Sequence, residues 1–308
     1  MIGLLTLSEQ ILCKKEVLGK AFECSIADEQ VLIHFPLYPV IDDSDSWFGV
    51  GTPLLPPKIE REWKKGAFSL SWGFPMSHPA GDSCVKMLAI TTQCEKSYTN
   101  TCAQKLYASI ERWELAFVDH IKLETKQNIE RDQNIQRDTC KFELFEDNYI
   151  PEKKTIRIYA IIPSAKTFAS EKNILNAIAF ADSGKELLLE YQMLLSAYEA
   201  RRQNQNRRAI LDACSAMEIT LVDEINQYCQ SIGLPPEILI NKYRYLGERI
   251  DLLKTLDNGF PNEDYKALVI NPRNAVMHNK TVFPSDEVTD KLISCVEGFL
   301  GHFHPSFY

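Results

Sequence analysis

The hydrophobic pattern of this 308-residue chain changes its period once, near Gly184. Before that point, runs that alternate every second residue are mixed with runs spaced by three and four. After it, only the three-and-four spacing remains. A chain with that switch does not fold as one uniform layer. It reads as α+β, with a mixed domain of strands and helices over residues 1–183 and an all-helical domain over 184–308. The length is enough for two separate cores.

In the first part, Phe22, Cys24 and Ile26 alternate, then Val31, Ile33 and Phe35 alternate beyond the polar Asp28-Glu29. This predicts a hairpin. Cys84 to Thr92 is a further strand. From about Thr99, the residues Cys102, Leu106, Ile110, Trp113, Phe117 and Ile121 form one helical stripe, which fades into charge over 124–139. Phe142 and Leu144 are expected to pair with Ile156, Ile158 and Ala160, and Glu171 to Ala181 to form a short helix. Residues 36–63, rich in proline and aspartate, read as a long surface loop.

Beyond Gly184, the stripe Leu187, Leu188, Tyr191, Leu194, Leu195, Tyr198 marks one helix. Ile210, Cys214, Met217, Leu221, Ile225 and Tyr228 mark a second. Pro235-Pro236 opens a third that carries Leu239, Leu246, Ile250 and Leu253. Ser285 caps the last helix, with Val288, Leu292, Cys295, Phe299 and Phe303 on its apolar side. The expectation is a bundle of four long helices and one short one.

The short helix carries Arg273-Asn274-Ala275-Val276-Met277-His278. Asn271 reads as its N-cap and Pro272 as its first residue. That reading puts Arg273 and Asn274 in the first turn, where unpaired backbone N–H groups and the helix dipole favour an anion. His278 shares a face with Asn274, four residues earlier. A forked cation, an amide and a titratable imidazole around one anion suit phosphodiester chemistry.

The formal net charge is −8, so the chain as a whole does not attract nucleic acid, and any such contact needs a local patch. Arg201, Arg202, Arg207 and Arg208 form such a cluster at the junction of the first two C-terminal helices. Lys280 adds a charge beside the motif. The nine cysteines include no Cys-x-x-Cys pair, so no metal site is expected and the thiols are expected reduced. His302 and His304 read as a frayed tail. No apolar run approaches the roughly 20 residues of a membrane span. No signal-peptide pattern stands at the start. A cytoplasmic location is the expectation. There is no Gly-rich phosphate loop, Gly-x-Ser-x-Gly elbow or His-Glu-x-x-His, and no cofactor is implied.

With Arg273, Asn274 and His278 at the start of a late short helix, the C-terminal segment resembles the HEPN superfamily. The likeness runs from about Gly184 to Phe303. The second helix, from Arg208-Ala209-Ile210 to Glu218, is similar to the family's alanine-rich helix with its internal acid. The resemblance implies a metal-independent endoribonuclease acting on RNA, tRNA or mRNA, by 2′-hydroxyl attack. Arg273, Asn274 and His278 would be its catalytic residues and Glu218 a supporting one. It also implies a homodimer with two motifs in one cleft and a toxin–antitoxin or antiphage defence setting, with an inhibitory or activating protein partner. Family toxins silenced by nucleotidylation carry a tyrosine two residues after the histidine, where this chain has Lys280. The alternative is a non-catalytic dimerisation or ligand-binding module, with the activity or partner contact in residues 1–183.

Overall fold

A computed structural model describes residues 2–37, 54, 72–75, 82–92, 101–127, 141–145, 168–257, 259–278 and 283–305. The chain divides into two compact units, Met1–Glu186 and Leu187–Tyr308. The coarse expectation of an α+β chain holds. Among the described residues, the first unit holds a sheet, two α-helices and a short 3-10 turn at Lys15–Val17, and the regular structure of the second is helical.

The sheet of the N-terminal unit has six antiparallel strands: β1 (Ile2–Cys13), β2 (Ala21–Ile26), β3 (Glu29–His34), β4 (Gly73–Pro75), β5 (Ser83–Thr92) and β6 (Lys141–Phe145). Their order is β2-β3-β5-β1-β6, and β4 pairs with the first residues of β5. The β2–β3 hairpin forms as the alternation predicts, with Cys24 opposite Val31. Its turn, Ala27-Asp28, takes the left-handed backbone at both residues, φ 54° and 65°, which matches the twist of the flanking strands. At Gly73, φ is +146° and a Cβ would stand 1.9 Å from the Cys84 carbonyl oxygen, so only glycine lets β4 reach β5.

Phe142 and Leu144 lie on β6 and pair with β1, opposite Leu5 and Gly3. Their expected partners Ile156, Ile158 and Ala160 lie outside the described residues, as does most of 36–63 and of 124–139. Two helices pack on the sheet, α1 (Thr101–Thr125) and α2 (Glu171–Asp182). The stripe read from the sequence is buried: Leu106, Ile110, Trp113, Phe117 and Ile121 join Leu5, Ile11, Ile33, Leu88 and Ile90 in one core. Ser170 and Asn173 cap α2 reciprocally. One expectation fails at Cys102, which is disulfide-bonded, whereas Cys13, Cys24, Cys84, Cys214, Cys229 and Cys295 are free.

Strand β1, between β5 and β6, slips register against β5 between Thr6 and Ile11. The resulting bulge takes the Ser8 N–H out of the ladder. Glu114 of α1 replaces the lost partner: its Oε1 accepts from Ser8 N at 2.8 Å and from Ser8 Oγ at 2.9 Å. The cost of this device is a buried carboxylate, and burial pushes its pKa up to about 7.

The helical unit contains α3 (Leu189–Arg202), α4 (Asn206–Ser231), α5 (Pro236–Lys242), α6 (Leu246–Leu256), α7 (Asn271–Met277) and α8 (Asp286–Phe303). Small buried residues, Ala197 and Ala200 on α3 and Ala209, Ala213 and Ala216 on α4, line these two adjacent helices and let their backbones approach closely. The single third helix expected from Pro236 to Leu253 is instead two helices, α5 and α6. Asn241 to Tyr245 offers no aliphatic residue to the stripe, and Tyr243 leaves the helical region at φ −107°, ψ 78°. Ser285 caps α8 as expected, its Oγ accepting from Val288 N at 3.3 Å. Val288 itself is exposed, and the buried side is Leu292, Ile293, Val296, Phe299 and Leu300.

Glu114 makes the stability of the N-terminal unit depend on pH. The folded state holds its proton to about pH 7, whereas the unfolded chain releases it near pH 4.3. The native state therefore binds more protons between these values, and stability falls as pH rises through this window. Urea unfolding from pH 4.5 to 7.5 should show a loss of at most about 3 kcal/mol from this group, absent in Glu114→Gln. An identical slope in both proteins would contradict the assignment.

Candidate functional site

The helical run that ends in the motif begins earlier than Asn271. Asp264 starts it: its carbonyl accepts from Leu268 N at 2.9 Å, and its Oδ1 accepts from Ala267 N at 3.0 Å. Lys266–Ile270 then forms a π-helical turn, and the Asn271 N–H donates to the Lys266 carbonyl. Asn271 is itself helical, at φ −63°, ψ −49°, and is not a cap. Pro272 is the reason for the wide turn. Inside a regular helix, its ring would clash with the carbonyl four residues back, and it donates no hydrogen bond. A turn with one extra residue relieves both conflicts.

This corrects the expected anion hole. Arg273 and Asn274 do not stand at a fresh helix start, so the free backbone N–H groups expected beside them are not there to meet an anion. Val276, buried, anchors α7 in the unit. Arg273 is half-buried, and its Nη2 lies 2.5 Å from Oε1 of Glu218 on α4. Asn274 and His278 are exposed, and the His278 N–H donates to the Asn274 carbonyl at 3.0 Å, which closes the helix. Four residues apart on one helix, these two side chains share a face. The structure thus joins Glu218 to Arg273 and leaves Asn274 and His278 open to solvent. Lys280 lies outside the described residues.

The Arg273 charge also reaches Cys214, one turn before Glu218 on α4. Burial nevertheless pushes that thiol up to about 12. Cys214 remains a thiol and supplies no nucleophile at neutral pH.

The arginine cluster at the α3–α4 turn is bound up in internal contacts. Arg201 grips Asp290 with two hydrogen bonds, Nε to Oδ1 at 2.8 Å and Nη2 to Oδ2 at 3.2 Å, and reaches Asp286 at 3.1 Å. The Asp290 bond raises the Arg201 pKa further above its usual value. Arg202 lies 3.8 Å from Glu199, and Arg208 lies 3.3 Å from Asp212. Arg207 is half-buried. Asn206 completes the clasp, donating to Asp286 Oδ1 at 2.7 Å and to the Pro284 carbonyl at 2.9 Å. The carboxylates on α8 made this pairing invisible as a local sequence signal.

His302 and His304, read as a frayed tail, are held. His302 Nε2 is hydrogen-bonded to Asp257 Oδ2 at 2.7 Å, and His304 Nε2 is buried 3.1 Å from Glu190 Oε1, close enough for an ion pair when protonated but not aligned for a hydrogen bond. His302 holds the Asp257 carboxyl below the usual range. Partners this distant in sequence leave no spacing to detect. Among the described residues, no three His, Cys, Asp or Glu side chains are grouped to hold a metal ion, and no helix is long and apolar enough to cross a membrane.

Comparison with protein-family models, with curated proteins and with solved structures finds no match for this chain.

The Arg201 clasp predicts a stability effect. Arg201→Ala should cost the helical unit about 1–2 kcal/mol in urea unfolding, and Arg201→Lys should restore only part of it, because an ammonium cannot reproduce the fork. Unchanged stability in Arg201→Ala would mean that the clasp is not formed in solution.

Proposed function

We propose that the helical unit is a metal-independent endoribonuclease of HEPN type, centred on Arg273, Asn274 and His278. The observation that carries this reading is the arrangement on α7. A half-buried arginine is fixed from behind by Glu218, beside an amide and an exposed histidine on one helix face. Glu218 meets the guanidinium through Nη2. A guanidinium has five N–H donors, so others remain for phosphate oxygens. Glu218 is therefore a positioning residue that orients the fork.

In the reaction, the 2′-oxygen of one nucleotide attacks the adjacent phosphorus and the bond to the 5′-oxygen breaks. The products are a 2′,3′-cyclic phosphate and a 5′-hydroxyl. The nucleophile belongs to the substrate, so the protein supplies proton transfer and charge stabilisation. Arg273 meets the charge that builds on the phosphate oxygens. His278 takes the 2′-hydroxyl proton or returns one to the leaving oxygen. A homodimer supplies a histidine for each role. Met277, within the motif, is 51% exposed and offers apolar surface for such an association. The setting is a toxin–antitoxin or antiphage system in the cytoplasm, where a protein partner governs access to RNA.

Purified protein incubated with total RNA and with a tRNA pool in EDTA should cleave. Arg273→Ala and His278→Ala, folded and with unchanged association, should each lose about 100-fold or more in rate. On expression, wild type should arrest growth and His278→Ala should relieve the arrest. Wild-type protein that is folded, dimeric and inert, or variants as active as wild type, would replace this reading with a non-catalytic binding module.

A further inference from the structure

The N-terminal unit holds a cavity of about 310 Å³ where the β2–β3 turn, one face of α1 and the last turn of α2 meet. This is the lower end of the range for small-molecule sites. Its wall carries Asp182, the final residue of α2. Asp182 Oδ1 accepts the Trp113 indole N–H at 2.8 Å, and Oδ2 accepts the Ser25 backbone N–H at 2.8 Å. Both donors are neutral.

Three features of this carboxylate need a counter-charge. It stands at a helix C-terminus, where the dipole disfavours an anion. It is half-buried, and loss of solvent raises its pKa above the usual value despite both hydrogen bonds. Among the described residues, no cation lies within ion-pairing distance of it. Two cations stand on the cavity wall and neither pairs with Asp182: Arg112 donates to the Gly184 carbonyl at 3.3 Å and to Glu186 at 3.1 Å, and Lys185 is exposed to solvent. A second acid, Asp28, stands on the rim in the β2–β3 turn. Trp113 reaches the cavity wall with only a small part of its ring, being 4% exposed and stacked on Phe117. Among the described residues, no three His, Cys, Asp or Glu side chains are grouped to hold a metal ion, which favours an organic cation.

We propose that this cavity binds the cationic head of a small organic amine or guanidine, with Asp182 as its counter-ion. The two neutral donors hold the carboxylate in place and leave it unneutralised, and the ligand supplies the missing charge. The inference is independent of the reading of α7. It gives the N-terminal unit a ligand-binding role.

Agmatine is the probe, titrated into the full chain. Binding is read by calorimetry and by the indole N–H signals of the four tryptophans, with Trp113→Phe assigning the signal of Trp113. Asp182→Asn keeps an acceptor for Trp113 and removes the charge. Ser109→Leu fills the cavity from α1 without touching Asp182. The expected result is saturable binding that shifts the Trp113 signal selectively in wild type, with affinity at least tenfold weaker in both variants. No binding at millimolar agmatine, equal binding in all three proteins, or equal shifts at every indole would overturn the proposal. The selective Trp113 shift is read on wild type, so it decides the matter even if a variant fails to fold.

Discussion

The helical unit is organised by α4. Its buried face, from Ala209 through Cys214 and Met217 to Ile225 and Cys229, is covered on different sides by α3, α7 and α8. Alanines at the α3 contact bring two backbones close, and that closeness leaves little room for error in the helices around them. The consequence for the site is direct. Glu218 projects from α4 at a fixed height and meets Arg273, so the geometry of the motif is inherited from the core and not from the short helix that bears it. A seven-residue helix has too little internal stability to hold a side chain still.

Two polar clasps complete this arrangement. Arg201 and Asn206 tie the α3–α4 turn to the start of α8, and the histidine–carboxylate pairs tie the end of α8 to Asp257 and Glu190. The N-terminal unit uses the same logic inside its core, where Glu114 replaces the hydrogen bond that the β1 bulge removes. In each case, a charged side chain compensates for a place where regular structure ends. The price is sensitivity to protonation or truncation at that one residue.

Much of this was legible in the sequence because it rests on period. The β2–β3 hairpin, the stripe of α1, the buried face of α4 and the Ser285 cap all follow from local spacing. What escaped the reading depends on distant residues. Strand β1 was not read as a strand, because an apolar run without alternation carries no period, yet Ile2, Leu4 and Leu5 are buried on an inner strand between β5 and β6. The start of the α7 run was misplaced because Asn271-Pro272 is a good local start signal. The competing signal, Asp264, precedes a wide turn that sequence spacing does not encode. The pairings Arg273–Glu218 and Arg201–Asp290 join residues on different helices. For the first, the sequence singled out Glu218 only as an acid supporting the motif, and the second had no signal at all.

The π-helical turn before Pro272 also bears on the chemistry. It removes the free N–H groups of a helix start from the site, so in the proposed reaction Arg273 and His278 would do what a backbone anion hole would otherwise share. The proposed nucleophile leaves a specific mark on the product, because cleavage by 2′-hydroxyl attack generates one set of ends and metal-assisted hydrolysis by water generates another. The most direct measurement is the chemistry of the RNA ends after cleavage by wild-type protein in EDTA. The account predicts 2′,3′-cyclic phosphates facing 5′-hydroxyls. Ends bearing 3′-hydroxyls and 5′-phosphates would contradict it.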